Sequence, residues 1–375
     1  VVYVPDTVAP KNNKKRHYNT AKEAIKSRCS AIKAGLRTQW TGHVRIAHFK
    51  LDFVVRQPWQ QQLKRALNGQ STSSLRQHTD YSEAGDALFR TVATDEIITA
   101  INQAGNPSAL IKQFLPTEIE RHEAENYYQD PVGDQNALAQ QGIIHKYHGR
   151  VLLVASGSCA VNCRYCFRRH FPYQQQLASR NNWHAVIEYL TTHPDIHEII
   201  LSGGDPLTLS TQSLESLTNQ LIKLTHIKTL RIHSRMATVL PDRIDHTLLS
   251  WLDSLPWQKV FVTHINHTDE LTEKAIKSLQ RLKQHNVNLL NQSVLLKGVN
   301  DNADELIQLS HILFAQGILP YYLHLFDRVQ NAAHFDVDIN RARTIYEEMR
   351  IQLPGYLLPK LVKEDAGQLA KTPVF

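Results

Sequence analysis

Cysteine, methionine and long hydrophobic runs are what this chain has least of. Four cysteines and two methionines in 375 residues leave no material for a secreted disulfide scaffold, and a reducing cytoplasm is the compartment to expect. No apolar stretch approaches the ~20 residues that cross a bilayer, and the first residues lack the h-region of a secretory signal, so no membrane association is expected. Charge of one sign is also scarce beyond a short head. Residues 1–50 hold eleven Lys and Arg against two Asp and Glu, whereas the remaining 325 hold thirty-one against thirty-three. The formal net charge of +7 therefore belongs to the head, and a nucleic-acid-binding face on the body has no support. Residues 1–45 read as a basic, flexible extension, a processed targeting piece or translated upstream sequence, in each case without part in the chemistry.

What is there is a globular composition, 42% hydrophobic with mixed charge, and a change of rhythm along it. From 46 to 145 the chain reads as a helical accessory region. Segments such as TDEIITAINQAG and PTEIERHEAENYYQ carry apolar residues at helical spacing, with Thr or Asp near their starts. From 146 to 330 six strand-like runs, RVLLVA, HEIILS, KTLRIH, KVFVTH, VNLLNQSVLL and LPYYLHLF, alternate with amphipathic segments of helix length. Such alternation implies right-handed βαβ units on a parallel sheet. Six units suit an open, partial (β/α)6 barrel rather than a closed eightfold one, with 331–375 as a C-terminal segment. Reactive groups of β/α barrels gather at the carboxyl ends of the strands. Those ends here carry Ser202 to Asp205, His233 to Arg235, His264 to His267, Asn291 to Ser293 and His324 to Asp327.

The loop after the first strand is the most pointed of them. It holds Cys159, Cys163 and Cys166 within eight residues. Thiolates are soft ligands and suit zinc or iron–sulfur clusters. His170, four residues past Cys166, would complete a Cys3His zinc site. A [4Fe–4S] cube on three cysteines would instead leave one iron open to a small molecule, which gives an odd thiol count a purpose. A closed structural zinc is out of place at the mouth of a barrel. Spacing and place favour the cluster and leave the zinc reading standing.

CxxxCxxC on the first loop of a partial barrel resembles the signature of the radical S-adenosylmethionine enzymes. Further blocks, HKYHGRVLLVASGSCAVNCRYCFRRHFPY, LSGGDPL, LRIHSR, THINH, LLNQSVLLKGVND, PYYLHLFD and AKTPV, stand in the order of the lysine 2,3-aminomutase family and most resemble its elongation-factor-P β-lysylation branch. The resemblance spans roughly residues 85–375. It implies an isomerase that uses a [4Fe–4S] cluster, S-adenosylmethionine and pyridoxal phosphate to turn L-lysine into β-lysine.

Carried over by motif, the resemblance makes Cys159, Cys163 and Cys166 the cluster ligands. Gly203, Gly204 and Asp205 match the glycine-rich strand end that receives the methionyl group of S-adenosylmethionine. Lys371, in the Lys-Thr-Pro motif, matches the lysine that carries pyridoxal phosphate, so the C-terminal segment must fold back over the barrel mouth. Arg150 matches the arginine on the coenzyme phosphate, and Tyr147, His264 and Gln292 match positions lining the coenzyme. Arg168 matches the clamp on the substrate carboxylate, and Asp327 an acid for the remote ammonium. A second family acid falls at Glu364, a glutamate where the free-standing lysine aminomutases have aspartate, with Asp365 next to it as the alternative.

In the resembling branch a separate ligase attaches β-lysine to elongation factor P, and this chain carries no ligase motif. A reductant such as a flavodoxin or ferredoxin is implied, and a homo-oligomer is compatible with the resemblance. The rival readings are the same radical machinery on arginine, glutamate or ornithine, and a non-enzymatic zinc-stabilised binding protein.

Overall fold

The computed structural model describes residues 57–104 and 108–374; the extension read over residues 1–45 lies outside them. Four short helices come first: α1 (Pro58–Leu67), α2 (Glu83–Leu88), α3 (Asp95–Ala104) and α4 (Ala109–Phe114). Local chemistry sets their starts. Pro58 occupies the first position of α1, where its missing N–H costs nothing, and Ser82 and Ser108 cap α2 and α4 through their hydroxyls. TDEIITAINQAG forms α3 as its spacing suggests. PTEIERHEAENYYQ does not form a helix beyond one 3₁₀ turn at Glu118–Arg121. Its Glu120 is drawn wholly inside, where Arg164 and Arg169 meet it, and that tertiary pairing outweighs the helical periodicity.

A hairpin follows, β1 (Leu138–Gln140) and β2 (Ile143–Tyr147), and it pairs antiparallel with β3 (Arg150–Ser156). Strands thus stand inside the stretch read as helical, and a division between residues 145 and 146 would cut β2. The regular alternation then runs α5 (His184–Thr192), β4 (Glu198–Gly203), α6 (Thr211–Leu221), β5 (Thr229–His233), α7 (His246–Ser254), β6 (Gln258–Thr263), α8 (Glu273–Gln284), β7 (Asn288–Val294), α9 (Ala303–Ala315) and β8 (Leu319–His324). All six strand-like runs of the sequence are strands of one sheet, parallel from β3 to β8. Side-chain oxygens of Ser210, Asp245, Thr272 and Asn302 cap α6, α7, α8 and α9.

The sheet does not close. Its ten strands lie in chain order, with β1 at one edge and the C-terminal strands at the other. After α10 (Ile339–Gln352) the chain adds β9 (Lys360–Lys363) parallel to β8, then reverses into β10 (Thr372–Pro373). Gly367, at φ +80°, lies in that reversal, a backbone setting that favours glycine. The reversal sets Thr372 opposite Lys363 and so returns Lys371 to the end of the barrel strands. A single apolar cluster joins Leu201, Leu230 and Phe261 of the strands to Trp59 of α1 and Phe114 of α4. Residues 56–375 accordingly form one compact unit.

Candidate active site

The cysteine loop is fixed from both sides. On the sheet side, the Gly204 and Asp205 amides donate to the carbonyls of Ser156 and Ser158, at 2.7 and 2.8 Å. A Cβ on Gly203 would lie 2.5 Å from the Ser156 carbonyl, and one on Gly204 2.6 Å from that of Ser158. The two glycines therefore admit the backbone of the cysteine loop itself. Asp205 is engaged as well. Its carboxylate accepts from Ser234 Oγ at 2.8 Å and from the amides of Arg235 at 2.8 Å and Leu207 at 3.0 Å. Burial still pushes it up to about 6. It ties the loop after β4 to the loop after β5.

On the helical side, Arg164 sends Nε and Nη2 to the two oxygens of Glu120, at 2.8 and 2.6 Å, and Arg169 adds a third bond at 3.0 Å. All three side chains are inaccessible to solvent at the pairing. The sequence offered no signal for this trio beyond the charges themselves. Between these anchors Cys159, Cys163 and Cys166 line one cavity of about 310 Å³. Burial pushes the Cys159 thiol well above its ordinary value and that of Cys166 up to about 11. Such thiols become thiolates only when cationic charge arrives, which bound metal supplies. Cys163 differs, for its sulfur accepts an N–H from Arg235 at 3.2 Å. Three soft donors facing one cavity fit an iron–sulfur cube. Among the described residues no three His, Cys, Asp or Glu side chains gather at single-ion spacing. His170 is not among the side chains lining the cavity, so the Cys3His set is not brought together.

A second cavity of about 300 Å³ adjoins, bounded by Tyr147, Arg150, Tyr321 and Tyr322. Arg168, His264, Gln292, Glu364 and Lys371 line both cavities, so Lys371 stands in the wall between them. Arg150 lies with its guanidinium 4.7 Å over the Tyr147 ring and forms no ion pair among the described residues. Its neighbour Arg231 is held by Glu198 at 2.7 Å. An uncommitted arginine at one end and a primary amine at the other fit a phosphorylated aldehyde coenzyme. Burial, then the charge of Glu364, pushes the Tyr147 hydroxyl well up, so it stays a neutral phenol. Burial drives His264 down to about 3 and His233 and His324 well below their usual value. All three imidazoles are neutral, and Nε2 of His233 and of His324 is buried without a partner.

A chain of alternating charges crosses the shared wall. Lys371 Nζ meets Glu364 at 2.6 Å, and the other Glu364 oxygen takes Lys146 at 2.9 Å. Lys146 continues to Asp134 at 2.6 Å, whose second oxygen holds Arg168 Nε at 2.6 Å. Arg168 Nη1 then donates to Ser202 at 3.2 Å. Sequence reasoning missed Lys146 and Asp134, one on the short strand β2 and one in a polar loop, where no pattern marks them. Cations on both sides hold Glu364 well below the carboxylate range against its burial. Asp365 is spent on Lys363 and Thr372, so Glu364 is the acid that faces Lys371. Asp327 lines the first cavity without an ion pair among the described residues. Burial, reinforced by Glu364, pushes it up to about 7.

Known proteins match this sequence. Residues 153–310 match the radical SAM superfamily. The L-lysine 2,3-aminomutase of Escherichia coli K12 is 45% identical over 273 residues, 72% of this chain and 80% of that protein. The protein of the same name from Haemophilus influenzae Rd is 43% identical over 293 residues, covering 78% and 87%. That of Buchnera aphidicola is 42% identical over 262 residues, covering 70% and 77%. The chain belongs to the lysine 2,3-aminomutase family of radical S-adenosylmethionine enzymes, isomerases that work with a [4Fe–4S] cluster, S-adenosylmethionine and pyridoxal phosphate.

Proposed function

We propose that the protein converts L-lysine to β-lysine by a 1,2-amino shift, and that the product serves the modification of elongation factor P by a separate ligase. The observation that carries this reading is the position of Lys371, in the wall between the cavity of the three thiols and the cavity of Arg150. When bound, the cofactors supply a radical that removes a substrate hydrogen and a ring that carries the migrating amino group.

The residues divide the remaining work. Cys159, Cys163 and Cys166 hold the cluster. Gly203, Gly204 and Asp205 set the strand end against the cysteine loop, where the methionyl group of S-adenosylmethionine docks. Arg150 binds the coenzyme phosphate, Lys371 its carbonyl carbon, and Tyr147, His264 and Gln292 line the ring. Neutral histidines suit this role, because they add hydrogen bonds without adding charge.

Arg168 takes the substrate carboxylate, its guanidinium already oriented by Asp134. Asp327 takes the remote ammonium, assisted by Glu364. An acid whose carboxyl burial has pushed up ionises readily when a cation arrives beside it, and two acids at that end select a diamino acid over glutamate. Lysine fits best, with arginine and ornithine as the neighbouring substrates. The reductant is a flavodoxin or ferredoxin, and the setting is the cytoplasm.

A substrate panel tests the reading. Protein reconstituted anaerobically is offered lysine, arginine, ornithine and glutamate, and products are identified by mass spectrometry. β-Lysine is the expected major product. Turnover of glutamate without lysine would remove Asp327 and Glu364 from the assigned roles.

A further inference from the structure

The three cysteines are not equivalent. Cys163 alone among them accepts a side-chain N–H within the described residues, from Nη1 of Arg235 at 3.2 Å. Arg235 sits at the carboxyl end of β5, buried, and its Nε and Nη2 are held elsewhere. Nε donates to the His264 carbonyl at 2.8 Å and Nη2 to Glu270 at 2.9 Å. Its plane is flanked by the rings of Phe114 and Tyr165, at 5.5 and 5.8 Å.

Glu270 is fixed in turn. Its other oxygen accepts from the Asn266 amide at 2.8 Å, the His267 amide at 3.2 Å and Gln113 Nε2 at 3.3 Å. The guanidinium thus cannot swing toward another ligand without breaking a buried ion pair and a backbone bond. What it offers the cavity is one N–H, aimed at one sulfur. Hydrogen bonds to cluster sulfurs and nearby positive charge both favour the more negative, reduced form.

We infer that Arg235, held by Glu270, is a positioning residue that raises the reduction potential of the cluster through the Cys163 sulfur. This inference rests on the radical reading above. It concerns one electron, taken up by the cluster from an external reductant, with no bond made or broken in the protein.

The test uses the full chain reconstituted with iron and sulfide, without S-adenosylmethionine or substrate, in a dithionite titration followed by electron paramagnetic resonance. The double exchange Arg235→Gln with Glu270→Gln removes both charges together, so no carboxylate is left buried alone. Arg235→Lys keeps the charge and loses the fork, and it covers the case in which the double exchange folds poorly. Iron content near wild type is expected in both. The reduction equilibrium of the double variant is expected to shift about tenfold toward the oxidised cluster, a fall of about 59 mV. Arg235→Lys should move the same way by less. Resonance Raman spectra of the wild type in heavy water should show a Cys163-dependent iron–sulfur shift that the double variant diminishes. An unchanged potential at normal iron content, or a heavy-water shift of undiminished size in the double variant, overturns the inference and leaves the function intact. A wild-type chain that takes up no iron sinks the function first.

Discussion

The two ends of the site treat charge in opposite ways. Around the cysteine loop the buried carboxylates have protein partners: Glu120 with Arg164 and Arg169, Glu270 with Arg235, Asp205 with three donors. Around Lys371 the charges divide: Lys371, Glu364, Lys146, Asp134 and Arg168 pair in a chain, while others are left open. Arg150 and Asp327 form no ion pair among the described residues, and two histidines keep a buried nitrogen without a partner. Buried polar groups are ordinarily satisfied, and those that are not call for a reason. The first end uses its charges to hold a loop in place. The second keeps Arg150 and Asp327 for what binds there.

Four substitutions sharpen that contrast, taken from the largest effect down. Lys371→Ala should lower turnover by about 10⁴-fold or more, the scale on which a covalent residue is missed, with loss of the visible absorbance of bound coenzyme. Far-ultraviolet circular dichroism should stay unchanged, because Lys371 lies outside the helices and strands, in the connection between β9 and β10. Glu120→Ala should act the other way round. It leaves two buried guanidinium groups without their partner and should cost about 3–5 kcal/mol in urea unfolding, with cluster content falling as the loop loosens. If Glu120→Ala were as stable as the wild type, the cysteine loop would not depend on its charges.

Asp327→Asn should raise KM for lysine by about 10–100-fold, the loss of one charge-assisted contact. The pH dependence follows from the raised carboxyl. Below about 7 Asp327 is largely protonated and a poor ammonium acceptor, and above it the carboxylate is present. The charges acting on it are those of Glu364, Lys371, Asp134 and Lys146. The kcat/KM for lysine should therefore rise through neutral pH, and the asparagine variant should lose that limb. Arg150→Gln is the mildest, about a tenfold weaker hold on pyridoxal phosphate by equilibrium titration. Equal coenzyme affinity in that variant would give the phosphate to another group.

What the sequence made legible was local or repeated. The strand runs from RVLLVA to LPYYLHLF, the CxxxCxxC spacing and the Lys-Thr-Pro motif each fit in a short window; the runs are strands, and the three cysteines and Lys371 line one cavity. What it hid depends on pairs distant along the chain. Glu120 is 44 residues from Arg164, Arg235 is 72 from Cys163, and Lys146 is 218 from Glu364. No periodicity connects such partners. Glu120 even read as part of a helix, because its neighbours have helical spacing and its own burial is decided elsewhere. Gly203 and Gly204 were legible as the glycine-rich strand end of the family motif, yet only the fold shows that a Cβ there would meet the Ser156 and Ser158 carbonyls. The edge hairpin of β1 and β2 was missed for a similar reason: strands of three and five residues are too short to display their period.

The central claim, that Lys371 and the three thiols serve one reaction across a shared wall, is tested most directly by anaerobic reconstitution with iron, sulfide and pyridoxal phosphate. Lysine, S-adenosylmethionine and reductant are then added and the amino acid recovered. The account predicts β-lysine from the wild type and none from either Cys166→Ala or Lys371→Ala. Full iron and coenzyme loading with no β-lysine, or rearrangement that survives either substitution, would contradict it.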